Sequence, residues 1–483
     1  MSVLSRRGFL WSAGAPLAML RAAGDRPNIV YILADDLGWG DLGCYNPKSA
    51  VPTPNADRLA GQGLRFTDMH SPSSVCTPTR YGILTGRYSW RSRLKRGVLN
   101  GYSPDLIEPG RLTVASMLRS RGYYTAGIGK WHLGLGDREK TDYDQPLSPG
   151  PNDHGFDYYF GIPASLDMAP YLYFENSRAI EKPTSHTAGR NDPRGVFWRE
   201  GAIAPGFKME EVLPTLTTKA TGLLRERARK PEQPFFLYLA LTAPHTPWVP
   251  LEKFRGRSRA GDYGDFVAQV DDTLGQAMQT LDATGLARNT LLIMTSDNGA
   301  HWTPEDKSRW PHRANADWRG MKADIWDAGH RIPFLARWPG RIRPESVSEE
   351  TGCLTDFMGT TAALAGAQLP DNAAEDSFNL LPALLGEKLN RPIREAVIHH
   401  SSEGMFSIRQ GEWKLCLGLG SGGFSQPVKM EPKPGDAPGQ LYNILKDPAE
   451  AGNVYLKHPE IVARLTALLE KYQRDGRSRP PAS

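Results

Sequence analysis

Four stretches of the chain share one pattern: an apolar run of strand length stops abruptly at polar or ionisable residues. Residues 28–34 stop at Asp35-Asp36, 125–129 at Lys130 and His132, 235–241 at Thr242-Ala243-Pro244-His245, and 291–295 at Ser296-Asp297-Asn298-Gly299. Runs without polar alternation predict strands buried on both faces, as in a parallel sheet covered by helices. Helical periodicity at 55–61, 113–121, 216–229 and 263–282 separates them. Alternating strands and helices predict an α/β fold. In open α/β sheets, functional groups gather beyond the carboxyl ends of the strands.

Later in the chain, a strand-like segment at 332–338 and Pro339-Gly340 precede a predicted helix at 355–365. The Pro/Asn/Asp-rich stretch at 369–377 marks a boundary, dividing a unit at 25–370 from a smaller α+β unit at 371–483. The smaller unit has strand-like segments at 396–400, 405–409 and 413–417, a Gly/Pro-rich loop at 418–439 and an amphipathic helix at 459–475. This predicts a small antiparallel sheet with a helix packed on it. Residues 140–210 are rich in Pro, Gly, Asp and aromatics without periodicity, a composition suited to substrate loops and their supports.

With 483 residues, 40% hydrophobic and 23% charged, the chain has the composition of a globular enzyme. Its net charge of +5 makes no case for nucleic acid and is compatible with anionic substrates. Ser5-Arg6-Arg7-Gly8-Phe9-Leu10, followed by mostly apolar or small residues to Leu20, reads as a twin-arginine-like export signal over 1–24. The expected destination is the periplasm or the medium. No later stretch approaches the roughly 18 apolar residues that span a bilayer, so stable membrane insertion is not expected. Four cysteines, Cys44, Cys76, Cys353 and Cys416, make a disulfide framework an unfavoured reading.

Candidate chemistry sharpens this picture. An isolated Asp-Asp or Asp-Asn-Gly is usually a turn. Here Asp35, Asp36, Asp297 and Asn298 cap two buried strands and offer only oxygen ligands, a set that selects a hard cation and suits calcium. Cys76-Thr77-Pro78-Thr79-Arg80 continues through Tyr81-Gly82-Ile83 to Leu84-Thr85-Gly86-Arg87. Pro78 suits the first turn of a helix, which places Cys76 where free backbone N–H groups favour an anion.

These blocks resemble the type I, formylglycine-dependent sulfatases of the arylsulfatase A-like kind. The resemblance extends through Asp35-Asp36-Leu37-Gly38, Gly129-Lys130-Trp131-His132-Leu133-Gly134, Gly155-Phe156-Asp157 with Gly161-Ile162-Pro163, Ala243-Pro244-His245, Ser296-Asp297-Asn298-Gly299 and Arg319-Gly320-Met321-Lys322. Leu441-Tyr442-Asn443, Asp447-Pro448 and Asn453 are similar to the family's terminal block. It implies an alkaline-phosphatase-like fold: a large, mostly parallel sheet covered by helices, with a small C-terminal antiparallel sheet.

By the same resemblance, Cys76 is converted to formylglycine, whose diol attacks sulfate esters. A formylglycine-generating or anaerobic sulfatase-maturing enzyme would be the maturation partner. One calcium ion would be held by Asp35, Asp36, Asp297, Asn298 and residue 76. Arg80 would stabilise the diol, Lys130 and Lys322 would contact sulfate oxygens, and His132 would take a proton from the second hydroxyl. His245, with Lys322, would protonate the departing alcohol, and Ser165 would supply a polar contact. The expected substrate is a sulfated carbohydrate or an aryl sulfate.

Asp327-Ala328-Gly329 stands where many relatives have Glu-Gly-Gly, a departure expected to touch only a supporting loop. The basic run Arg87, Arg91, Arg93, Lys95, Arg96 and the group His301, Trp302, His312, Arg313 could each read a sulfated sugar. They read equally well as a solvated face and a self-packed loop. Two rival functions keep the same scaffold: a formylglycine-dependent phosphonate monoester or phosphodiester hydrolase, and a non-catalytic glycan-binding protein.

Overall fold

The computed structural model describes residues 26–481, so the expected export signal lies outside the described residues. At the centre is β1 (Asn28–Asp35), followed in the chain by α1 (Pro54–Gly61), β2 (Leu64–Phe66) and α2 (Cys76–Thr85). Next come α3 (Val114–Ser120), β3 (Tyr124–Lys130), β4 (Tyr158–Ile162), β5 (Phe174–Glu175) and β6 (Arg178–Ala179). The series continues with α4 (Val212–Arg227), β7 (Phe235–Pro244), α5 (Gly261–Ala283), β8 (Thr290–Ser296), β9 (Phe334–Arg337), β10 (Ser346–Ser348) and α6 (Phe357–Ala365).

These strands form a ten-stranded sheet among the described residues, in the order β10-β2-β9-β8-β1-β7-β3-β4-β5-β6. The four predicted runs are the neighbours β8, β1, β7 and β3, and β4 extends them; all five are parallel. The sheet is mostly parallel, as expected, with one reversed strand in each flank: β9 is antiparallel to β8 and β2, and β5 is antiparallel to β4 and β6. A buried apolar run specifies cover on both faces but not strand direction. The 332–338 segment was therefore legible as a strand without its orientation.

Every residue of β7 is buried, which requires cover on both faces. Helices α4 and α5 contact it, and Phe357 of α6 packs its ring on Tyr31 and Phe236. Each such large apolar side chain contributes roughly 1.5–3 kcal/mol when fully buried. Gly129, the last residue before Lys130, adopts φ +126°, and a Cβ there would lie 1.7 Å from the Ala240 carbonyl oxygen. Only glycine lets β3 approach β7 closely enough to deliver Lys130 to the site.

The C-terminal segment forms an antiparallel sheet of β11 (Val397–His400), β12 (Phe406–Gln410), β13 (Trp413–Cys416) and β14 (Gln440–Asn443). Strand β14 was not among the expected strands. Helix α7 (Pro459–Arg474) packs through Leu465, Leu469 and Tyr472, a helical i, i+4, i+7 spacing, into a core containing Ile398, Ile408, Leu415 and Leu441. Tyr88 and Trp90, just after α2, join that core and tie the small sheet to the helix that begins at Cys76.

Candidate active site

The ends of β1 and β8 bring Asp35, Asp36, Asp297 and Asn298 together, all at most 4% exposed. Asp36 leaves β1 with φ +66°, a left-handed conformation that a short polar side chain tolerates at local cost. Its backbone N–H donates to Asp297 Oδ1 at 3.2 Å, and its carboxylate accepts Asn298 Nδ2 at 2.7 Å. Cys76 is the first residue of α2, and its sulfur and single oxygens of Asp35 and Asp297 lie within 4.8 Å of one another. Burial pushes the Cys76 thiol up, against the pull of Lys130 and Lys322.

Three buried cations cross this group. Arg80, one turn into α2, donates from Nε and Nη2 to Asp297 Oδ2 at 3.1 and 2.8 Å, and from Nη1 to the Lys130 carbonyl at 3.0 Å. Lys130 Nζ reaches Asp35 Oδ2 at 2.7 Å and Ser165 Oγ at 3.2 Å. Lys322 Nζ lies 2.8 and 2.9 Å from the two oxygens of Asp36. Burial opposes ionisation of Asp35, but Lys130, His245, Arg80 and Lys322 outweigh it and hold the carboxyl well below its usual range. For Asp297, burial and the neighbouring Asp35 charge win over Arg80 and raise the carboxyl to about 7.

His132 is buried, with φ +57°, and its Nε2 lies 2.7 Å from the Leu99 carbonyl. Because a carbonyl only accepts, Nε2 carries the proton and Nδ1 keeps a lone pair. Nδ1 has no hydrogen-bond partner among the described residues. Burial, Lys130 and Arg80 hold the ring well below the usual histidine range, so it is neutral. The Leu99 N–H donates to Thr77 Oγ1 at 3.2 Å, linking His132 to the residue after Cys76. His245 pins Nδ1 on the Thr246 carbonyl at 2.7 Å and turns Nε2 toward Asp36 at 3.8 Å and Ser165 at 3.4 Å.

All the candidate metal and catalytic positions thus converge: Asp35, Asp36, Cys76, Arg80, Lys130, His132, Ser165, His245, Asp297, Asn298 and Lys322. The candidate sugar readers mostly do not. Arg87 pairs with Glu108 and Glu375, Arg91 with Asp376, and Lys95 caps the Trp90 carbonyl. Arg93 donates to the Pro104 and Asp105 carbonyls, and Arg96 is exposed. Trp302 is buried against Tyr263 and His312, whose Nε2 bonds Asp41 at 2.8 Å, while Arg313 caps its own loop. His301 alone of that group lies in the field of Lys322, Asp36 and His245. Sequence reasoning missed Phe424, which the loop after β13 brings beside His301; an aromatic in a glycine-rich run was its only signal.

Residues 27–367, most of the chain, match the family model described as Sulfatase. The chain belongs to the sulfatase family. It is 36% identical to an N-acetylgalactosamine-6-O-sulfatase of Bacteroides thetaiotaomicron, over 92% of this chain and 93% of that one. It is 35% identical to human arylsulfatase A, over 97% and 92% of the two chains. A solved Bacteroides thetaiotaomicron sulfatase, from work on the metabolism of multiple glycosaminoglycans, superposes with a TM-score of 0.83 at 35% identity and covers 93% of this chain and all of that one. The enzyme is accordingly a sulfuric ester hydrolase with the sulfatase fold.

The donor set of this sulfatase fits a hard cation. Among the described residues, Asp35 Oδ1, 3.7 Å from Arg80 Nη2, and Asn298 Oδ1 are buried acceptors without hydrogen-bond partners, and each such atom costs about 1–3 kcal/mol unless something satisfies it. Asn298 spends its amide N–H groups on Asp36 and the Gly299 carbonyl, which leaves its oxygen as the free end. The raised Asp297 carboxyl adds the same message: the group resists a third negative charge without a further positive one.

Proposed function

We propose that this sulfatase hydrolyses sulfate esters of a sulfated glycan, with Cys76 converted to formylglycine and one calcium ion held by Asp35, Asp36, Asp297, Asn298 and residue 76. The observation that carries the reading is the pair of unpartnered oxygens on Asp35 and Asn298 beside a cysteine at a helix N-terminus. The hydrated aldehyde would supply the nucleophile and calcium the charge that holds it beside the ester.

The chain's own residues supply the rest. The N-terminus of α2 and the Lys130 and Lys322 ammonium groups oppose negative charge on the sulfate oxygens. Arg80 keeps Asp297 oriented through two N–H bonds. His132 Nδ1, neutral and unpartnered, accepts the proton whose loss from residue 76 releases sulfate. His245 Nε2, with Lys322, delivers a proton to the leaving alcohol, and Ser165 steadies Lys130 and His245. A glycan substrate is supported by the similarity to an N-acetylgalactosamine-6-O-sulfatase. The Arg6-Arg7 leader supports export of the folded enzyme after a maturing enzyme has acted on residue 76.

The decisive test is the mass of the tryptic peptide containing residue 76 from native-host material, together with sulfate release from sugar sulfates before and after chelation. Replacement of CH2–SH by CHO, and activity restored to chelated enzyme by calcium, are expected. A uniformly unmodified thiol in active enzyme would overturn the nucleophile. Faster turnover of aryl phosphodiesters than of any sulfate ester would overturn the substrate class.

A further inference from the structure

Phe424 is 47% exposed, yet the backbone on both sides of it is fixed. Gly423 lies so close to the Lys322 segment that a Cβ would sit 2.3 Å from the Ala323 backbone carbonyl. Ser425 donates to the Asp324 carboxylate from its backbone N at 3.0 Å and its Oγ at 2.5 Å. Phe424 is therefore pinned beside the two residues that follow Lys322. Its ring lies 5.2 Å from that of His301, tilted by 58°. His301 is itself braced, because Arg194 donates to its carbonyl at 3.1 Å while pairing with Asp306 at 2.7 Å. A lone exposed apolar side chain is ordinary on a surface. An aromatic ring carried on fixed backbone beside the Lys322 segment, next to a second ring, is pre-organised surface of the kind that gives affinity cheaply.

We propose that Phe424 and His301 form an aromatic platform for the apolar C–H face of the pyranose ring that carries the sulfate, making Phe424 a specificity-determining contact. The proposal rests on the glycan reading above. The polar cluster grips the sulfate, which every sulfate ester shares. The platform reads the ring, which only some esters carry. Residue Phe424 comes from the C-terminal segment, so that segment contributes to substrate choice as well as packing.

The test uses the matured, calcium-loaded enzyme and a panel of sulfated monosaccharides beginning with N-acetylgalactosamine 6-sulfate. Phe424→Ala is expected to raise KM by about 3- to 10-fold, the worth of one aromatic contact, with kcat within about twofold. Phe424→Trp should restore KM. The inhibition constant of inorganic sulfate, which meets the cluster but not the platform, should be unchanged in both variants. An unchanged KM in Phe424→Ala, from a parent that turns the sugar over, overturns the platform. So does a sulfate inhibition constant that rises in step with KM, because the loop would then act only by positioning Lys322. A parent active on aryl sulfate but on no sugar of the panel overturns the glycan reading, and the platform with it.

Discussion

Two buried clusters in this molecule set three carboxylates against three cations. One joins Asp35, Asp36 and Asp297 to Arg80, Lys130 and Lys322. The other joins Asp68, Asp327 and Glu450 to Arg331, Arg409 and Lys414, behind the small sheet. Each even contains one carboxyl that burial pushes up to about 7, Asp297 in the first and Glu450 in the second. Burial and charge balance therefore do not distinguish a reactive site from a structural joint. Lone pairs do.

The carboxylates and cations of the second cluster are closed on one another by ion pairs and hydrogen bonds. Lys414 Nζ lies 3.0 Å from His330 Nε2, and His330 Nδ1 lies 3.0 Å from His70 Nδ1. His70 Nε2 lies 3.0 Å from both Asp68 Oδ1 and Arg409 Nη1, and Arg331 and Arg409 also end on that Asp68 oxygen. His70, His330 and His399 are close enough to suggest a metal, but the His330 and His399 rings stack face to face at 3.6 Å and 7°. Lone pairs lying in parallel stacked planes do not converge on one ion. There Glu450 Oε1 makes no hydrogen bond but faces Lys414 Nζ at 2.9 Å, and His399 Nε2 is left over as a single nitrogen; at the first cluster, among the described residues, two oxygens, Asp35 Oδ1 and Asn298 Oδ1, are left over together with His132 Nδ1.

The strongest way to break this contrast is to remove the residue beside the open lone pairs. Cys76→Ala is expected to lower sulfate release on the order of 10⁴-fold or more, with the melting temperature of the parent. Equal turnover by variant and parent would end the assignment of residue 76 as nucleophile.

Calcium sharpens the contrast next. Saturating the parent at a hundredfold above Kd should stabilise it by about 2.7 kcal/mol, read as a rise in melting temperature. Asp297→Asn should abolish that response and lower activity on the order of 10³-fold. Asp327→Asn, in the closed cluster, should leave the calcium response intact. A lost response in Asp327→Asn would show that the two clusters are one system.

The closed cluster should fail in stability instead. Lys414→Met removes the cation shared by Asp327 and Glu450, at 2.9 Å from each, and should destabilise the fold by roughly 3–5 kcal/mol in denaturant titration. The folded fraction should keep the parent's kcat. A variant as stable as the parent would mean that the joint does not depend on its charges.

How much of this was legible follows from the same contrast. The open cluster sits at the ends of apolar runs and inside contiguous blocks such as Ser296-Asp297-Asn298-Gly299, so the chain itself points to it. Apart from Asp327 and Arg331, four positions apart in one block, the closed cluster is made of single residues, Asp68, Arg409, Lys414 and Glu450, that share no run. Only the tertiary fold assembles them. Asp327, the departure noted in the sequence, touches no candidate catalytic residue but is a hub of that joint, bonded to Arg331 and Lys414. Strand direction at the sheet edges, β4 within the aperiodic 140–210 region, and β14 were likewise set by long-range pairing. The positions of Trp302 and His312 decide a reading the sequence left open: chemically expressive residues here serve to pack a loop.

The smallest effect tests whether the two clusters share a charge state. Burial first, and then the Asp327 charge, raise the Glu450 carboxyl from 4.5 to about 7, against the pull of Lys414. With the folded value above the unfolded one, the native state holds the proton more tightly between about pH 4.5 and 7. Its contribution to stability is complete below about 4.5 and is lost as pH rises through 7. His70, lowered to about 4 by burial and Arg331, acts in the opposite sense: its contribution is present above 6.5 and lost as pH falls toward 4. The informative quantity is therefore the difference between Glu450→Gln and the parent, in which the histidine slope largely cancels. With calcium present to hold the open cluster constant, the parent should lose up to about 3 kcal/mol relative to the variant between pH 4.5 and 7.5. Parallel curves would mean that Glu450 stays ionised against Lys414 throughout. The closed cluster would then carry its full negative charge balanced by its three cations, and a carboxyl that resists ionisation would belong to the open one alone.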